Sequence, residues 1–278
     1  MIDIRRLSVA ALWVLASPAI VAQSAGQADQ WNLQFNQGSQ RCTPKDPVYA
    51  ALDTGLAGYW KLDETRRVLA TDASGNDNDL LMSNSSFEVA SIDLDGRQNR
   101  AVSFTAADDD DVIKAVDSST LALTSDITLC AWIVTRPGAD SDDRFAGKSD
   151  AGGTYGYALD YDSFHVAGGN CTRGPRTKLS TPVTQGVWYH LCGVYDDTAQ
   201  TVSLYKDGLL VAGPEPHPHG VCDVRRRFAI GGRQSGGGRI YSEHDGYIDE
   251  VRLYDRPLTG EEIKRLHGCT APVHTKFP

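Results

Sequence analysis

Acidic residues near the C-terminal end of the chain have the types and spacing for carboxylate chemistry. Apolar and polar residues alternate from Gly246 to Leu258, which predicts a β-strand. One face of that strand carries Tyr247, Asp249, Val251 and Leu253. If Val251 and Leu253 face a core, Asp249 faces it too, and a buried carboxylate needs hydrogen bonds, a cation or a proton. The partner of Asp249 therefore decides what this strand can do.

A second pair of acids suits hydrolysis of glycosidic bonds. Glu243 and Asp245 occupy alternate positions just before the strand. Retaining glycosidases use two carboxyl groups about 5–5.5 Å apart. The next alternate position is Tyr247 rather than a third acid. A polysaccharide hydrolase or lyase is therefore an alternative function, and we assign no catalytic residue.

Aromatic and histidine side chains fall in or near the segments between predicted strands. Exposed rings with polar neighbours suit sugars, because a ring stacks on the apolar sugar face while the hydroxyls need donors and acceptors. The residues expected to bind a ligand are Tyr155, Tyr161, His165, Tyr241 and His244.

The elements that position these residues are mostly strands. Short runs rich in Val, Ile, Leu, Tyr and Trp alternate with Gly, Asp and Asn, which is typical of an antiparallel all-β domain. Thr259 precedes one short helix with acids in its first turn, Glu261 and Glu262. Strands are predicted at 58–62, 101–104, 112–115, 126–134, 156–160, 164–167, 187–196, 201–206, 209–212, 227–231 and 246–254.

Composition and targeting signals indicate an exported protein. Residues 1–22 have the charged start, apolar run and small residues of a signal peptide, and no later segment is long enough to span a bilayer. The formal net charge of −9 disfavours nucleic acid and anionic membranes as partners. Six cysteines in an exported chain predict three disulfides, and spacing alone leaves their pairing open.

Nine short motifs, taken in order, resemble a known family. They cover about Gly55 to Leu266, and the chain is similar to laminin-G-like domains of the concanavalin A-like lectin/glucanase superfamily, with features of the pentraxin-related branch. The motifs are Gly58–Glu64, Asp72–Asn78, Ala101–Phe104, Ser119–Leu123, Ile127–Ile133, Trp188–Leu191, Leu204–Val211, Ile230–Gly232 and Gly246–Leu258.

The resemblance implies a fold, disulfide pairs and a metal site. The expected fold is a two-sheet antiparallel β-sandwich, a jelly roll, with one short C-terminal helix. Pentraxins imply a Cys130–Cys192 disulfide, which leaves Cys171–Cys222 to tie two loops and Cys42–Cys269 to join the extension to the tail. In similar domains the loop 72–79 meets the last strand. Asp72, Asn76 and Asp249 are therefore expected to bind a structural calcium ion, which prefers oxygen ligands.

Together these observations predict the organisation and function of the chain. A signal peptide (1–22) and an N-terminal extension (23–54) precede the laminin-G-like domain (55–267), and a tail (268–278) follows. The expected function is a secreted, extracellular or periplasmic, non-catalytic module that binds a glycan or a glycan-bearing surface. An adhesion module with a protein partner is the main alternative, because this fold serves many functions.

Overall fold

Apolar strands of this chain build two antiparallel sheets, as predicted, and each sheet has eight strands. The computed structural model describes residues 51–64, 69–83, 89–91, 100–105, 112–115, 118–139, 143–149, 155–169, 171, 174–234 and 240–270. The signal peptide and nearly all of the extension, including Cys42, lie outside these ranges.

The strands are numbered along the chain. They are β1 (Leu56–Trp60), β2 (Leu69–Ala70), β3 (Leu80–Ser83), β4 (Val89–Ser91), β5 (Arg100–Phe104), β6 (Val112–Ala115), β7 (Ile127–Thr135), β8 (Arg144–Ser149), β9 (Tyr155–Asp160), β10 (Ser163–Ala167), β11 (Arg176–Ser180), β12 (Tyr189–Asp196), β13 (Thr201–Lys206), β14 (Leu209–Pro216), β15 (Ala229–Ile230), β16 (Arg233–Gln234), β17 (Ile240–Tyr241) and β18 (Gly246–Tyr254). A 3-10 turn covers Ser119–Leu121, and helix α1 covers Gly260–Thr270.

Sheet A has the order β14-β13-β12-β7-β18-β5-β4, and β1 also pairs with β18. Sheet B has the order β11-β10-β9-β8-β15-β6-β3-β2, and β16 pairs with β17 separately. One apolar core joins the two sheets, because alternate residues of each strand point inward. Its side chains include Leu129, Ile133 and Leu191 from sheet A and Phe145 and Phe164 from sheet B.

Strand β18 lies at the centre of sheet A and changes its neighbour along its length. Its first residues pair with β5, and its last residues pair with β1. The change coincides with a β-bulge against β7 between Asp249 and Arg252, and Glu250 has a φ of 53° there. The simple alternation predicted for this strand is therefore wrong: Ile248 lies in the core with Val251 and Leu253, whereas Tyr247 packs in a separate cluster.

Helix α1 covers the outer face of sheet A with an apolar side. Ile263 and Leu266 are buried against Cys130, Cys192 and Tyr254. Thr259 caps the helix as predicted, since its backbone N–H and hydroxyl donate to Glu262 and its Oγ1 accepts from the Glu262 N–H.

The end of helix α1 differs from the sequence prediction. The sequence predicts that residues 268–270 belong to the tail, but the helix continues to Thr270. The Thr270 hydroxyl donates to the Leu266 carbonyl, and the Trp132 Nε1 donates to Thr270 Oγ1. These contacts tie the last turn to sheet A.

Two expected disulfides are present. Cys130 pairs with Cys192 between neighbouring strands β7 and β12, and Cys171 pairs with Cys222. Cys269 is also disulfide-bonded, while its expected partner Cys42 lies outside the described residues.

Candidate functional site

The outer face of sheet B carries a buried ionic network. On β10, Phe164 and Val166 enter the core, so Ser163 and His165 point away from it. The Asp160 carboxylate accepts from His165 Nδ1 at 2.8 Å and pairs with Arg144 Nε at 2.7 Å. Because Asp160 pairs with both Arg144 and Ser163 in the strand register, these side chains share one face.

Burial and charge fix the ionisation of this network. Burial alone would raise the pKa of Asp160, but Arg144 and His165 outweigh it and hold that pKa below its usual value. Burial lowers the pKa of His165 despite the Asp160 carboxylate. At neutral pH the network is therefore a guanidinium, a carboxylate and a neutral imidazole whose Nδ1 proton goes to Asp160.

Three predicted ligand residues converge on the segment Asp143–Arg144 at one end of sheet B. The Tyr161 N–H donates to the Asp143 carbonyl at 2.9 Å, and the Arg144 N–H donates to the carbonyl of Ser242 at 2.9 Å, next to Tyr241. His244 Nδ1 lies 3.3 Å from Asp143 Oδ2. We call Arg144, Asp160, Tyr161, His165 and Tyr241 the Arg144 site.

Exposure separates the predicted ligand residues into two groups. Tyr241 is 36% exposed, and Tyr161 is half-buried with part of its side chain packed against the main core, so both residues reach the surface. His165 and His244 are buried, and His244 packs between Phe104 and Phe145. Direct contact of these two buried histidines with a ligand stays a prediction. Tyr155 begins β9, and its side chain lies outside the described residues.

Sequence reasoning missed Arg144 and Asp160. Strand β8 is a run of mixed polarity, Arg-Phe-Ala-Gly-Lys-Ser, so it was not recognised as a strand. A usable signal was the turn after Asp160, because a hairpin there brings Ser163 opposite Asp160.

The pair Glu243 and Asp245 lies in the loop between β17 and β18. Arg136 Nη1 lies 2.6 Å from Asp245 Oδ1, and Arg136 also donates to the Phe104 carbonyl and the Ser103 hydroxyl. The Asp245 carboxylate thus forms an ion pair with Arg136 that stabilises this loop. The arrangement gives no support to a two-carboxylate hydrolase at this position.

Asp249 is fully buried, and its two carboxyl oxygens differ in their hydrogen bonds. Its Oδ1 accepts from the Glu250 N–H at 2.8 Å, while its Oδ2 has no hydrogen-bond partner within the described part of the chain. Burial raises the pKa of Asp249 well above its usual value, and the charges of Glu250 and Asp63 raise it further. Asp249 lies opposite Trp132 on β7, so it occupies the outer face of sheet A.

The neighbouring Glu250 has both a hydrogen-bond donor and a cation as partners. Its carboxylate accepts from the Tyr59 hydroxyl at 2.8 Å and pairs with Arg252 at 2.9 Å. The Arg252 guanidinium lies over the Tyr59 ring, 3.9 Å from its centroid. These contacts close the β18 bulge against β1.

The loop expected to bind calcium is held by protein donors. The Asp72 carboxylate accepts from the Tyr59, Ser74 and Asn78 N–H groups and from the Ser74 hydroxyl. These four bonds fill the acceptor positions a cation would need. Asn76 donates to the Leu56 carbonyl at 2.7 Å. The binding of a structural calcium ion by Asp72, Asn76 and Asp249 stays a prediction.

Comparison with known proteins identifies the family. Residues 107–264, more than half of the chain, match the Laminin_G_3 family, described as concanavalin A-like lectin/glucanases superfamily. The chain belongs to this family. The more specific pentraxin-related assignment is not confirmed.

Solved structures with low sequence identity share the fold. Domain 4 of the extracellular arabinanase AbnA from Geobacillus stearothermophilus, in complex with arabinotriose, has 16% identity and a TM-score of 0.53, and the match covers 76% of this chain and 98% of that one. The Botulinum neurotoxin serotype D ligand-binding domain with N-acetylneuraminic acid has 10% identity and a TM-score of 0.56, covering 79% and 52%.

A third similar structure is the binding domain of Botulinum neurotoxin DC in complex with rat synaptotagmin II. It has 8% identity and a TM-score of 0.57, and the match covers 78% of this chain and 52% of that one. The chain spans about half the length of the toxin binding domains it matches. In the part of this chain that the structure describes, no helix has the length and apolar character needed to cross a membrane.

Proposed function

We propose that this protein is an exported binding module that recognises carbohydrate at the Arg144 site. The observation that carries the proposal is the combination of an ionic network on the outer face of sheet B with two surface-reaching rings at its end. The rings of Tyr161 and Tyr241 offer apolar stacking surfaces for a sugar, and the buried Arg144–Asp160 pair fixes the strand ends beside them.

The cysteine chemistry and the comparisons support this proposal. Disulfide bonds are typical of proteins outside the cytosol. Two of the similar structures contain a sugar ligand, arabinotriose in one and N-acetylneuraminic acid in the other. At such low sequence identity the similarity supports only the shared fold, so sugar as the ligand class of this chain is part of the proposal.

The rigid base of the site favours binding over catalysis. Asp160 is committed to Arg144 and His165, and Asp245 is committed to Arg136. A preorganised base of this kind holds donors in place without a further loss of side-chain entropy on binding. The site therefore suits recognition of a sugar that remains unchanged.

A glycan array with the purified protein tests the proposal, followed by titration calorimetry of each hit. We expect Tyr241→Ala to weaken binding about tenfold, the loss of one ring contact of about 1.4 kcal/mol. The matched control is Leu209→Ser, an exposed apolar residue on the edge of sheet A. Glycan binding that Tyr241→Ala and Leu209→Ser leave equally strong would place the site elsewhere, and an array without hits would contradict the proposal.

A protein-binding alternative has its own observation. The edge strand β14 exposes three consecutive apolar side chains, Leu209, Leu210 and Val211, with 43–56% of their surface accessible. An exposed apolar edge strand is a surface on which a partner strand can pair. If the array is empty and Leu209→Ser abolishes binding of a protein partner, the adhesion function replaces the carbohydrate one.

A further inference from the structure

Beneath helix α1 a buried histidine lies beside the Cys130–Cys192 disulfide. His190 lies on β12 and is 1% exposed. Its Nδ1 lies 3.7 Å and its Nε2 3.9 Å from Cys192 Sγ, and within the described ranges these are the only hydrogen-bond neighbours of the ring nitrogens. Sulfur is a weak hydrogen-bond acceptor, so this imidazole is poorly satisfied for a buried polar group.

The strand register brings both sulfurs of the disulfide to this ring. Cys192 lies directly opposite Cys130, with their Cα atoms 4.1 Å apart, so the two side chains share the outer face of sheet A. One ligand atom each from Cys130, His190 and Cys192 lies within 4.8 Å of the others. In the oxidised protein the sulfurs are bonded to each other, and the group holds no metal in that state.

A fourth candidate ligand, His267, lies close by. The His267 ring, in the last turns of α1, has its centroid 5.9 Å from that of His190 and stacks on Trp132 at 5.1 Å. Burial lowers the pKa of His190 well below its usual value and also lowers that of His267. Both rings are therefore neutral at pH 7, which is the form that ligates metal ions.

The distance between Cys192 and His190 agrees with tetrahedral zinc geometry. With Zn–S bonds of about 2.3 Å and Zn–N bonds of about 2.0–2.1 Å, sulfur and nitrogen ligands lie about 3.6 Å apart and two sulfurs about 3.8 Å apart. The observed sulfur–nitrogen distance of 3.7 Å already matches. Two thiolates and a divalent ion also sum to zero charge, which a buried position tolerates.

We propose that the reduced chain binds a zinc-class ion through Cys130, Cys192, His190 and His267, and that disulfide formation expels the ion. In the expulsion step, one thiolate attacks an incoming small-molecule or protein disulfide and releases one half of it as a thiolate. The other protein thiolate then attacks the protein sulfur of the mixed disulfide, which forms the Cys130–Cys192 bond and releases the second half. The incoming disulfide thus takes up two electrons, its two thiolates take protons from the solvent, and the ion leaves with its oxidation state unchanged. The site thus belongs to the thiol state of the protein and is independent of sugar binding.

Alkylation mapping tests the proposal on the full chain. The protein is reduced under native conditions with a phosphine, incubated with Zn²⁺ or with chelator, alkylated and mapped by mass spectrometry. We expect Zn²⁺ to slow alkylation of Cys130 and Cys192 at least tenfold. Cys171 and Cys222 are internal controls that should change less than twofold.

A variant tests His190 as a nitrogen ligand of the ion. His190→Gln should abolish the protection, and His219→Gln, at an exposed histidine, should leave it intact. Equal protection of all four thiols, protection that persists in His190→Gln, or alkylation that is insensitive to Zn²⁺ would each overturn the proposal.

Two measurements on the unmodified sequence serve if His190→Gln does not fold. The reduced protein with Co²⁺ should show thiolate-to-metal charge transfer and the absorption of a tetrahedral ion. Zn²⁺ should also raise the melting temperature of the reduced protein, because an ion that binds only the folded state stabilises it. Absence of both signals would refute the site.

Discussion

Replacing Asp249 by asparagine removes a titrating group from the centre of sheet A without changing its shape. Asp249 is fully buried with one carboxyl oxygen lacking a partner among the described residues, and burial raises its pKa well above the usual value. Because the folded-state pKa is raised, the stability contributed by the protonated group is fully present below the unfolded pKa. It is lost as pH rises through the folded pKa.

The expected magnitude follows from that linkage. Above the unfolded Asp pKa of about 3.9, the wild-type free energy of unfolding falls by up to about 1.4 kcal/mol per pH unit for this group while the folded carboxyl stays protonated. Asp249→Asn escapes this loss. The variant should equal the wild type near pH 4 and become progressively more stable than it toward pH 7.

Urea unfolding between pH 4 and 8, in chelator and in calcium, measures the effect. Asp77→Asn, an exposed carboxylate in the loop 72–79, is the matched control and should show no such pH-dependent gain. A variant less stable than the wild type at pH 7 by more than about 1 kcal/mol would refute the reasoning, because it would mean that an ionised Asp249 has a favourable partner. If calcium stabilises the wild type but not Asp249→Asn, that partner is the predicted ion.

Three further substitutions test the network, the core and the helix. Asp160→Asn leaves Arg144 buried without its carboxylate and should lower the free energy of unfolding at pH 7 by about 3 kcal/mol; since the Asp160 pKa is lowered, the wild type loses this advantage as pH falls through that pKa. Gly193→Ala places a methyl group against the Phe164 ring and should cost about 1–3 kcal/mol by chemical denaturation. Thr259→Ala removes the cap of α1 and should cost about 1 kcal/mol in thermal melting.

Control substitutions distinguish these specific effects from a general loss of stability. Gly268→Ala lies in the same helix with open space around the new methyl group, so it should be neutral or stabilise by up to about 1 kcal/mol. A destabilising Gly268→Ala, or a harmless Gly193→Ala, would show that the packing described here is wrong. Equal stability losses for Asp160→Asn at pH 7 and pH 3 would show that charge does not hold the Arg144 site.

The sequence predicted the parts of the fold that depend on apolar periodicity. Strands β7, β12 and β18 contain long apolar or alternating runs, and they form the middle of sheet A. Strands β8 and β11 were missed because Arg-Phe-Ala-Gly-Lys-Ser and Arg-Thr-Lys-Leu-Ser lack such a run. Their identity as strands comes from pairing partners distant in sequence, which local propensity does not encode.

The candidate site was predicted only in part for the same reason. Tyr161, His165, Tyr241 and His244 were chosen by residue type, and the structure brings them to one end of sheet B. Burial of the two histidines depends on which strand face each occupies. The bulge at Asp249 likewise lies where β18 changes its pairing partner from β5 to β1. It turns the side chains of the first half of β18 to the sheet face opposite to the predicted one, and local sequence does not encode this pairing.

The position of β18 has a consequence for the order in which the chain can fold. Among the described strands it is the last to be synthesised, yet it joins β7 to both β5 and β1 and so completes the middle of sheet A. Until Tyr254 has been made, β1 and β5 lack the neighbour that connects them to β7. Sheet A therefore closes only late in synthesis, over contacts of very long sequence separation, and slow folding is expected.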